Sequence, residues 1–281
     1  MSCEGCPSKG TCNKDASTCG VQPNPHNDIK HIIAVMSGKG GVGKSTITVL
    51  LARALRNMGK KVGIMDADIT GPSIPRMMAL EHEQAYSNQE REILPVKGED
   101  DIPIMSLNYL LDDENEPVIW RGPIITGVVK QFYTDVYWGD LDVLLIDMPP
   151  GTGDVALTIL QELPVSGVVM ISTPQPMVSM IVTKAIRMCK KMNVPVLGVI
   201  ENMAYLNCPN CNEKILFYNE DELDEFRKNA ETPIYGTLPQ LDLIRDLNRY
   251  GEYTLQQQEE VNALFHEIAE SLCEDIDALK K

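Results

Sequence analysis

The sequence lacks any apolar run close to the roughly 20 residues that a membrane-spanning helix requires. Its N-terminus also lacks a basic segment followed by an apolar core, so we expect no secretory signal and a cytoplasmic protein. Basic residues are scarce, because 25 lysines and arginines stand against 40 aspartates and glutamates, for a formal net charge of −15. Such a field repels phosphate backbones and anionic lipid surfaces, so we expect neither a nucleic-acid nor a membrane partner.

The composition is that of a folded globular chain, with 43% hydrophobic and 23% charged residues among 281. Residues 1–28 differ, because they are rich in Cys, Pro and Asn, show no periodicity and end in "VQPNPHND". We interpret residues 1–28 as a cysteine-bearing flexible tail and linker, and residues 29–281 as the folded domain.

Within that domain, short β-branched runs such as "HIIAVMS", "DVLLID", "SGVVMIS" and "VPVLGVIEN" alternate with helical patterns. Runs without polar alternation are typical of strands that are covered on both faces. The sequence therefore predicts an α/β fold with a doubly wound, mostly parallel sheet and helices on both faces.

The segment "GKGGVGKS" matches the Gly-x-x-x-x-Gly-Lys-Ser pattern of a phosphate-binding loop, between a predicted strand and a predicted helix. Glycines let backbone N–H groups converge on phosphate oxygens, and the helix N-terminus adds partial positive charge. We expect Lys44 to balance the β- and γ-phosphates and Ser45 to bind Mg²⁺. The predicted nucleotide-binding residues here are Gly38, Lys39, Gly40, Gly41, Val42, Gly43, Lys44, Ser45 and Thr46.

Carboxylates follow two predicted strands, in "IMDADITGPS" and "LLIDMPPGTGD". Ligands of open parallel sheets bind at the carboxyl ends of the strands, so we expect Asp66 and Asp68 beside the nucleotide. Asp147 is the candidate that holds Mg²⁺ through water together with Ser45.

The "KGGVGK" loop resembles that of the dimeric nucleotide switches that include MinD, ParA and the nitrogenase iron protein. The resemblance implies that Lys39 reaches across a dimer interface to the partner's nucleotide, as an arginine finger does. It also implies that Asp68 orients the attacking water and that residues 151–154 form a second switch.

The full set of motifs is more specific: "GKGGVGKST", "DADITGPSIPRMM", "RGPI", "DMPPGTGD" and "ENMAYLNCPNC". Together they resemble the Mrp/ApbC family of iron–sulfur cluster carrier ATPases from about residue 30 to the C-terminus. The resemblance implies a homodimer that hydrolyses ATP with Mg²⁺ and carries a labile 4Fe-4S cluster to apo iron–sulfur proteins. It further implies that Asn202 and the stretch around Pro239 contact the adenine.

The spacing of the cysteines indicates a metal site. A reducing compartment disfavours disulfides, so paired cysteines there suggest metal ligands. In the polar segment "LNCPNCNEK", Cys208 and Cys211 supply two thiolates, whereas a cluster normally needs four. In a two-fold dimer the same loop occurs twice, so two copies would supply four sulfurs. The alternative is half of a structural zinc knuckle that is completed within one chain.

The tail has its own thiols, which resemble the N-terminal extension of the cytosolic scaffold branch of the family. They could wrap one cluster or one zinc ion; they are Cys3, Cys6, Cys12 and Cys19.

Two other functions remain open from the sequence. One is a positioning ATPase like MinD or ParA, with a structural zinc knuckle. The other is an ATP-driven iron–sulfur electron donor like the nitrogenase iron protein, whose cluster cysteines flank the second switch upstream of position 200; this chain has no cysteine pair there.

Overall fold

The computed structural model describes residues 21–69, 71–98, 101–111, 122–208, 210–211, 213–217, 224, 227–228, 232–240, 247 and 254–279. Its strands are β1 (Asp28–Ser37), β2 (Val62–Asp66), β3 (Tyr86–Ser87), β4 (Ile93–Leu94), β5 (Val96–Lys97), β6 (Pro103–Met105), β7 (Asp140–Asp147), β8 (Gly167–Ser172), β9 (Val196–Asn207), β10 (Lys214–Leu216) and β11 (Ile234–Pro239). Its helices are α1 (Lys44–Asn57), α2 (Ile74–Met77), α3 (Gly122–Thr134), α4 (Asp154–Glu162), α5 (Pro176–Lys191) and α6 (Leu255–Ala278), with a 3₁₀ turn at Leu107–Leu110.

A nine-stranded sheet organises the domain, in the order β10-β9-β8-β1-β7-β2-β6-β5, with β11 added beside β9. Its pairings are parallel except at β5–β6 and β9–β10, which are antiparallel. β3 and β4 form a separate antiparallel pair. The predicted mostly parallel α/β fold is therefore confirmed.

The central strand β1 explains why its sequence shows no polar alternation. Ile33 and Val35 point into one apolar cluster with α1 and α6, whereas Ile32, Ala34 and Met36 point into another with α3, α4 and α5. Both faces of the strand are therefore shielded from water, and each large apolar side chain that leaves water stabilises the fold by about 1.5–3 kcal/mol. None of the helices that the structure describes has the length and hydropathy of a membrane-spanning helix.

The last part of the predicted linker is bonded to the domain. Asn24 is buried and donates to Glu92, and His26 Nδ1 lies 2.8 Å from the same carboxylate. Asn27 Oδ1 accepts the backbone N–H groups of Trp138 and Gly139. These bonds hold residues 24–27 in place, whereas the boundary after residue 28 stays a prediction.

The carboxyl ends of three adjacent strands bring the predicted nucleotide residues together. Asp147 at the end of β7 lies in register with Val35 of β1 on one side and Asp66 of β2 on the other. The phosphate loop leaves β1 directly beyond this row. Such an edge is where open α/β sheets bind ligands.

β9 is longer than the predicted strand "VPVLGVIEN", because it continues through "MAYLN" to Asn207. Its first half is sandwiched between β8 and β11, and its last residues pair with β10. The segment with Cys208 and Cys211 consequently forms the tip of an antiparallel hairpin at the edge of the sheet.

Candidate functional site

The phosphate loop presents a helix N-terminus without a protein cap. Gly43 precedes α1 in the left-handed region, with φ of 84°, and no side chain caps the first turn. A Cβ atom at Gly43 would lie 2.4 Å from Asn202 Nδ2, so a larger residue would displace this amide and would also be strained at this φ. The first N–H groups of α1 are thus available to an anion, as phosphate binding requires.

Lys44 is held at the centre of the site by the row of carboxylates. Its side chain is only 6% exposed, and Nζ lies 2.7 Å from Asp147 Oδ1. Ser45 Oγ and Thr48 Oγ1 donate to the two oxygens of Asp147, at 2.6 and 3.0 Å. A buried carboxylate with three donors fixes the positions of the lysine and of the serine hydroxyl.

Asp66 is a second buried carboxylate in this row. Burial, with the charge of Asp147 as a further cause, raises its pKa from 3.8 to about 8. Its oxygens accept Ser106 Oγ and the backbone N–H groups of Asp68 and Ile74. At neutral pH Asp66 therefore keeps its proton.

Asp68 lies in front of these groups, with Oδ2 4.0 Å from Lys44 Nζ. It borders an open cavity of about 230 Å³ at the phosphate loop. The cavity is lined by Ser37, Lys39, Gly40, Gly41, Gly43, Lys44, Ser45, Thr46, Asp68, Gly71, Ser73, Met77 and Pro150.

The second glycine-rich segment also reaches this loop. Gly151 has φ of 84°, and its N–H donates to Ser37 O at 2.9 Å. Asp154 is exposed and begins α4, with Gly153 as the residue before the helix. A movement of the phosphate loop would therefore reach this segment directly, through Ser37, the residue before the loop.

The side chain of Lys39 is bonded within the same chain. Its Nζ donates to Gln175 Oε1 at 2.7 Å, and its backbone carbonyl accepts Ser37 Oγ. Three further residues of the site, Gln175, Thr48 and Ser106, were not among those predicted from the sequence. The signal was present for two of them, since Gln175 and Ser106 follow β8 and β6 at the same edge of the sheet.

The two predicted adenine contacts lie on neighbouring strands. Asn202 on β9 is fully buried, and its Nδ2 donates to Val42 O at 2.9 Å. Pro239 ends β11, is buried and lies in register with Tyr205. An adenine contact by either residue remains a prediction.

The thiol pair lies at the tip of the β9–β10 hairpin. Cys208 N–H donates to Glu213 O at 2.9 Å, Cys208 is half-buried and Cys211 is exposed. The N–H groups of Asn210 and Cys211, followed by the Cys211 thiol, bond the Cys208 sulfur and lower its pKa. A thiol that is stabilised as thiolate is a ready metal ligand.

Apolar side chains continue from this thiol along the hairpin. Leu206 and Ile215 face each other across the strands, and both are exposed. Because side chains alternate along a strand, Cys208 shares the face of Leu206, and Phe217 shares that of Ile215. We call Leu206, Ile215 and Phe217 the apolar stripe.

Some predicted ligands cannot be placed. Cys3, Cys6, Cys12 and Cys19 lie outside the described residues. Among the residues that are described, His26, Glu90 and Glu92 have ligand atoms near enough to one another to share an ion. Their contacts with Asn24 and Asn88 are explained by the docking of the linker.

Comparison with known proteins agrees with this geometry. Residues 28–273 match the family described as ParA: NUBPL iron-transfer P-loop NTPase. The iron-sulfur cluster carrier protein of Clostridium perfringens is 45% identical over 260 residues, which cover 88% of this chain and 91% of that protein. The cytosolic Fe-S cluster assembly factor CFD1 of Kluyveromyces lactis is 44% identical over 223 residues, 77% of this chain and 79% of that protein.

A solved structure is also similar: the nucleotide-binding protein from Archaeoglobus fulgidus, in complex with ADP. It is 42% identical with a TM-score of 0.69, and the match covers 79% of this chain and 87% of that one. The family match spans the whole sheet and both the phosphate loop and the thiol hairpin. This chain therefore belongs to the NUBPL iron-transfer P-loop NTPase family, and its domain is a nucleotide-binding P-loop NTPase.

Proposed function

We propose that this protein is a cytoplasmic ATPase that assembles a 4Fe-4S cluster between two identical subunits and transfers it to apo iron–sulfur proteins. The observation that supports this best is the hairpin with Cys208 and Cys211, which offers half of a cluster site on a domain with a full phosphate site. The relatives named as cluster carriers and as a cytosolic assembly factor support the same cargo and location.

The residues of the phosphate site fit Mg²⁺ and ATP. The uncapped N-terminus of α1 would take the phosphates, and Lys44 would balance their charge. Ser45 and Asp147 would hold Mg²⁺, which would neutralise charge during phosphoryl transfer. Asp68 borders the same cavity and would orient water, and Lys39 would leave Gln175 to reach the partner's nucleotide.

The thiol hairpin explains the need for two subunits. Two thiolates from one chain leave a cluster two ligands short, and a two-fold axis at the hairpin supplies the missing pair. The apolar stripe beside Cys208 would be covered in such a dimer, which removes exposed Leu206, Ile215 and Phe217 from water.

The tail would add a second site that the domain does not need for its fold. Its thiols, in residues 1–28, would hold either a cluster or zinc. The domain at 29–281 contains the phosphate residues and the hairpin, so it would keep nucleotide binding without the tail thiols.

Anaerobic reconstitution with iron and sulfide tests the proposal. The wild-type chain should take up a cluster and lose it to an apo acceptor. The double variant Cys208→Ala/Cys211→Ala should lose the loop-bound cluster but keep ATP binding, and Cys273→Ala is a matched control that should behave like wild type. Zinc in the hairpin of a monomer, with no uptake of iron, would contradict the proposal and favour the positioning ATPase.

A further inference from the structure

We propose that β9 couples the two sites within one subunit, with Asn202 as the positioning residue that links the phosphate loop to Cys208. The inference rests on the proposed function, because it explains how the nucleotide could alter the thiol site. The connection runs directly through one strand and is separate from the glycine-rich segment at 151–154.

The first contact of this connection is at the phosphate loop. Asn202 Nδ2 donates to Val42 O, the carbonyl directly before Gly43. The same nitrogen would be 2.4 Å from a Cβ atom on Gly43, so the amide lies tightly beneath the loop. Asn202 Oδ1 is buried and has no hydrogen-bond partner among the described residues. A shift of the loop when phosphate binds must therefore move this amide or break its bond.

The residue after Asn202 has a strained backbone conformation. Met203 has φ of 53°, a conformation that non-glycine residues rarely adopt and that is unusual inside a strand. Met203 Cε also lies 3.8 Å from the Cβ position of Gly43. Strained backbone persists only where its surroundings hold it, so the loop above Met203 helps to fix the course of β9.

The strand is held more firmly before this point than after it. Glu201 is fully buried, lies in register with Ser172 of β8 and accepts Arg227 and Thr237. The pairing of β9 with β8 ends at Glu201, and residues 205–207 pair with β10 in the hairpin. Tyr205 still lies in register with Pro239 of β11, but the pairing with β8 stops at Glu201, so motion at Asn202 and Met203 is resisted more toward Glu201 than toward Cys208.

The path from the loop to the thiol is short. Cys208 follows Met203 by five residues, all of them in or directly after β9. Because β9 and β10 form one hairpin, a change in the direction of β9 would carry the whole tip with it. The environment of the Cys208 sulfur, which depends on N–H groups at the tip, should change with it.

Site-resolved alkylation of metal-free protein tests this coupling. Cys208 is labelled with iodoacetamide, with and without Mg²⁺ and a slowly hydrolysed ATP analogue at a concentration that saturates each variant. We expect the nucleotide to change the wild-type rate by at least about fivefold, the low end of typical coupling. We call the faster of these two rates divided by the slower the alkylation ratio. In Asn202→Ala this ratio should fall to about one.

Met203→Gly provides a second variant that leaves the amide in place. Glycine adopts the same φ without strain and many others besides, so the ratio should fall to less than half of the wild-type value. The matched control is Asn193→Gly, which relieves another positive φ, of 58°, after α5 and should keep the wild-type ratio. Circular dichroism and nucleotide titration check that each variant is folded and saturated.

Two results would overturn the coupling. One is a wild-type ratio of one, and the other is an unchanged ratio in Met203→Gly or in saturated Asn202→Ala. The proposed function is tested separately by cluster uptake in the same variants. Uptake and transfer without a change in alkylation would remove β9 as the link and leave the carrier function standing.

Discussion

The phosphate site and the thiol hairpin are built in opposite ways. At the phosphate site, contacts join residues that are about a hundred positions apart, as when Ser45 and Thr48 both donate to Asp147. At the hairpin, the Cys208 sulfur is held by N–H groups two and three residues away, and Cys211 is exposed. The first site is completed by the tertiary fold of one chain, whereas the second presents ligands outward. We infer that the second site needs another subunit to bind its cluster, whereas the first binds nucleotide within one chain and needs a lysine of the partner only for hydrolysis.

The largest expected effect comes from removing the charge at the centre of the phosphate site. Lys44→Ala should weaken nucleotide binding by about a hundredfold or more, because charge-assisted bonds to phosphate contribute about 1.5–3 kcal/mol each. Isothermal titration with Mg²⁺ and an ATP analogue measures the loss. Lys30→Ala is the matched control, since Lys30 is exposed and pairs with Asp142 at the surface. Equal affinities in both variants would show that the phosphates bind elsewhere.

The contrast in reactivity between the half-buried hairpin thiol Cys208 and the buried thiol Cys189 should be almost as large. Cys208 has a lowered pKa, whereas burial raises that of Cys189 to about 11. Iodoacetamide at pH 7 should therefore label Cys208 about a hundredfold faster than Cys189, since the thiolate is the reactive form. Tandem mass spectrometry of digested protein resolves the sites. Comparable rates would mean that the hairpin does not present its thiol as the structure describes.

Buried Asp66 predicts a pH dependence of stability at the phosphate site. Because the pKa of Asp66 is about 8 when folded and 3.8 otherwise, the folded state binds one proton more between these pH values. Stability should then fall by about 2 kcal/mol from pH 6 to pH 8 and level off above it.

Asp66→Asn should remove this slope. Urea unfolding of nucleotide-free protein at both pH values measures it, with Asp154→Asn as a control because Asp154 is exposed. An equally steep loss in Asp66→Asn would assign the slope to another group.

A smaller effect, on the free energy of unfolding, is expected at Glu201 of β9. Arg227→Ala leaves the fully buried Glu201 without its charged partner, which should cost about 1.5 kcal/mol of unfolding free energy. Arg56→Ala removes an exposed contact to Asp101 and should cost less than about 0.5 kcal/mol. Urea unfolding distinguishes them, and equal losses would mean that the ion pair at Glu201 adds nothing to β9.

The sequence predicts the fold and most of the phosphate site because the required signals are local. Apolar runs that lack alternation indicate strands covered on both faces, and the structure confirms this at β1. The glycine-rich loop and the carboxylates that follow strands indicate a nucleotide site at one edge of the sheet. Lys44, Asp66 and Asp147 meet at this edge in the structure.

The rest depends on contacts that no local pattern encodes. The bonds from Lys39 to Gln175 and from Asn202 to Val42 each join positions more than 130 residues apart. The extension of β9 through Met203 also escapes the pattern, because this residue adopts a left-handed conformation within the strand. The apolar stripe becomes visible only once the pairing of β9 with β10 places Leu206 opposite Ile215.

The mass and iron content of the reconstituted protein test most directly whether two chains share one cluster at the hairpin. The chain is first changed to serine at Cys3, Cys6, Cys12 and Cys19, so that the hairpin is the remaining paired thiol site. Native mass spectrometry without oxygen should then find a dimer of chains that holds about four irons and four sulfides. A single chain that holds the metal at Cys208 and Cys211 would contradict the account.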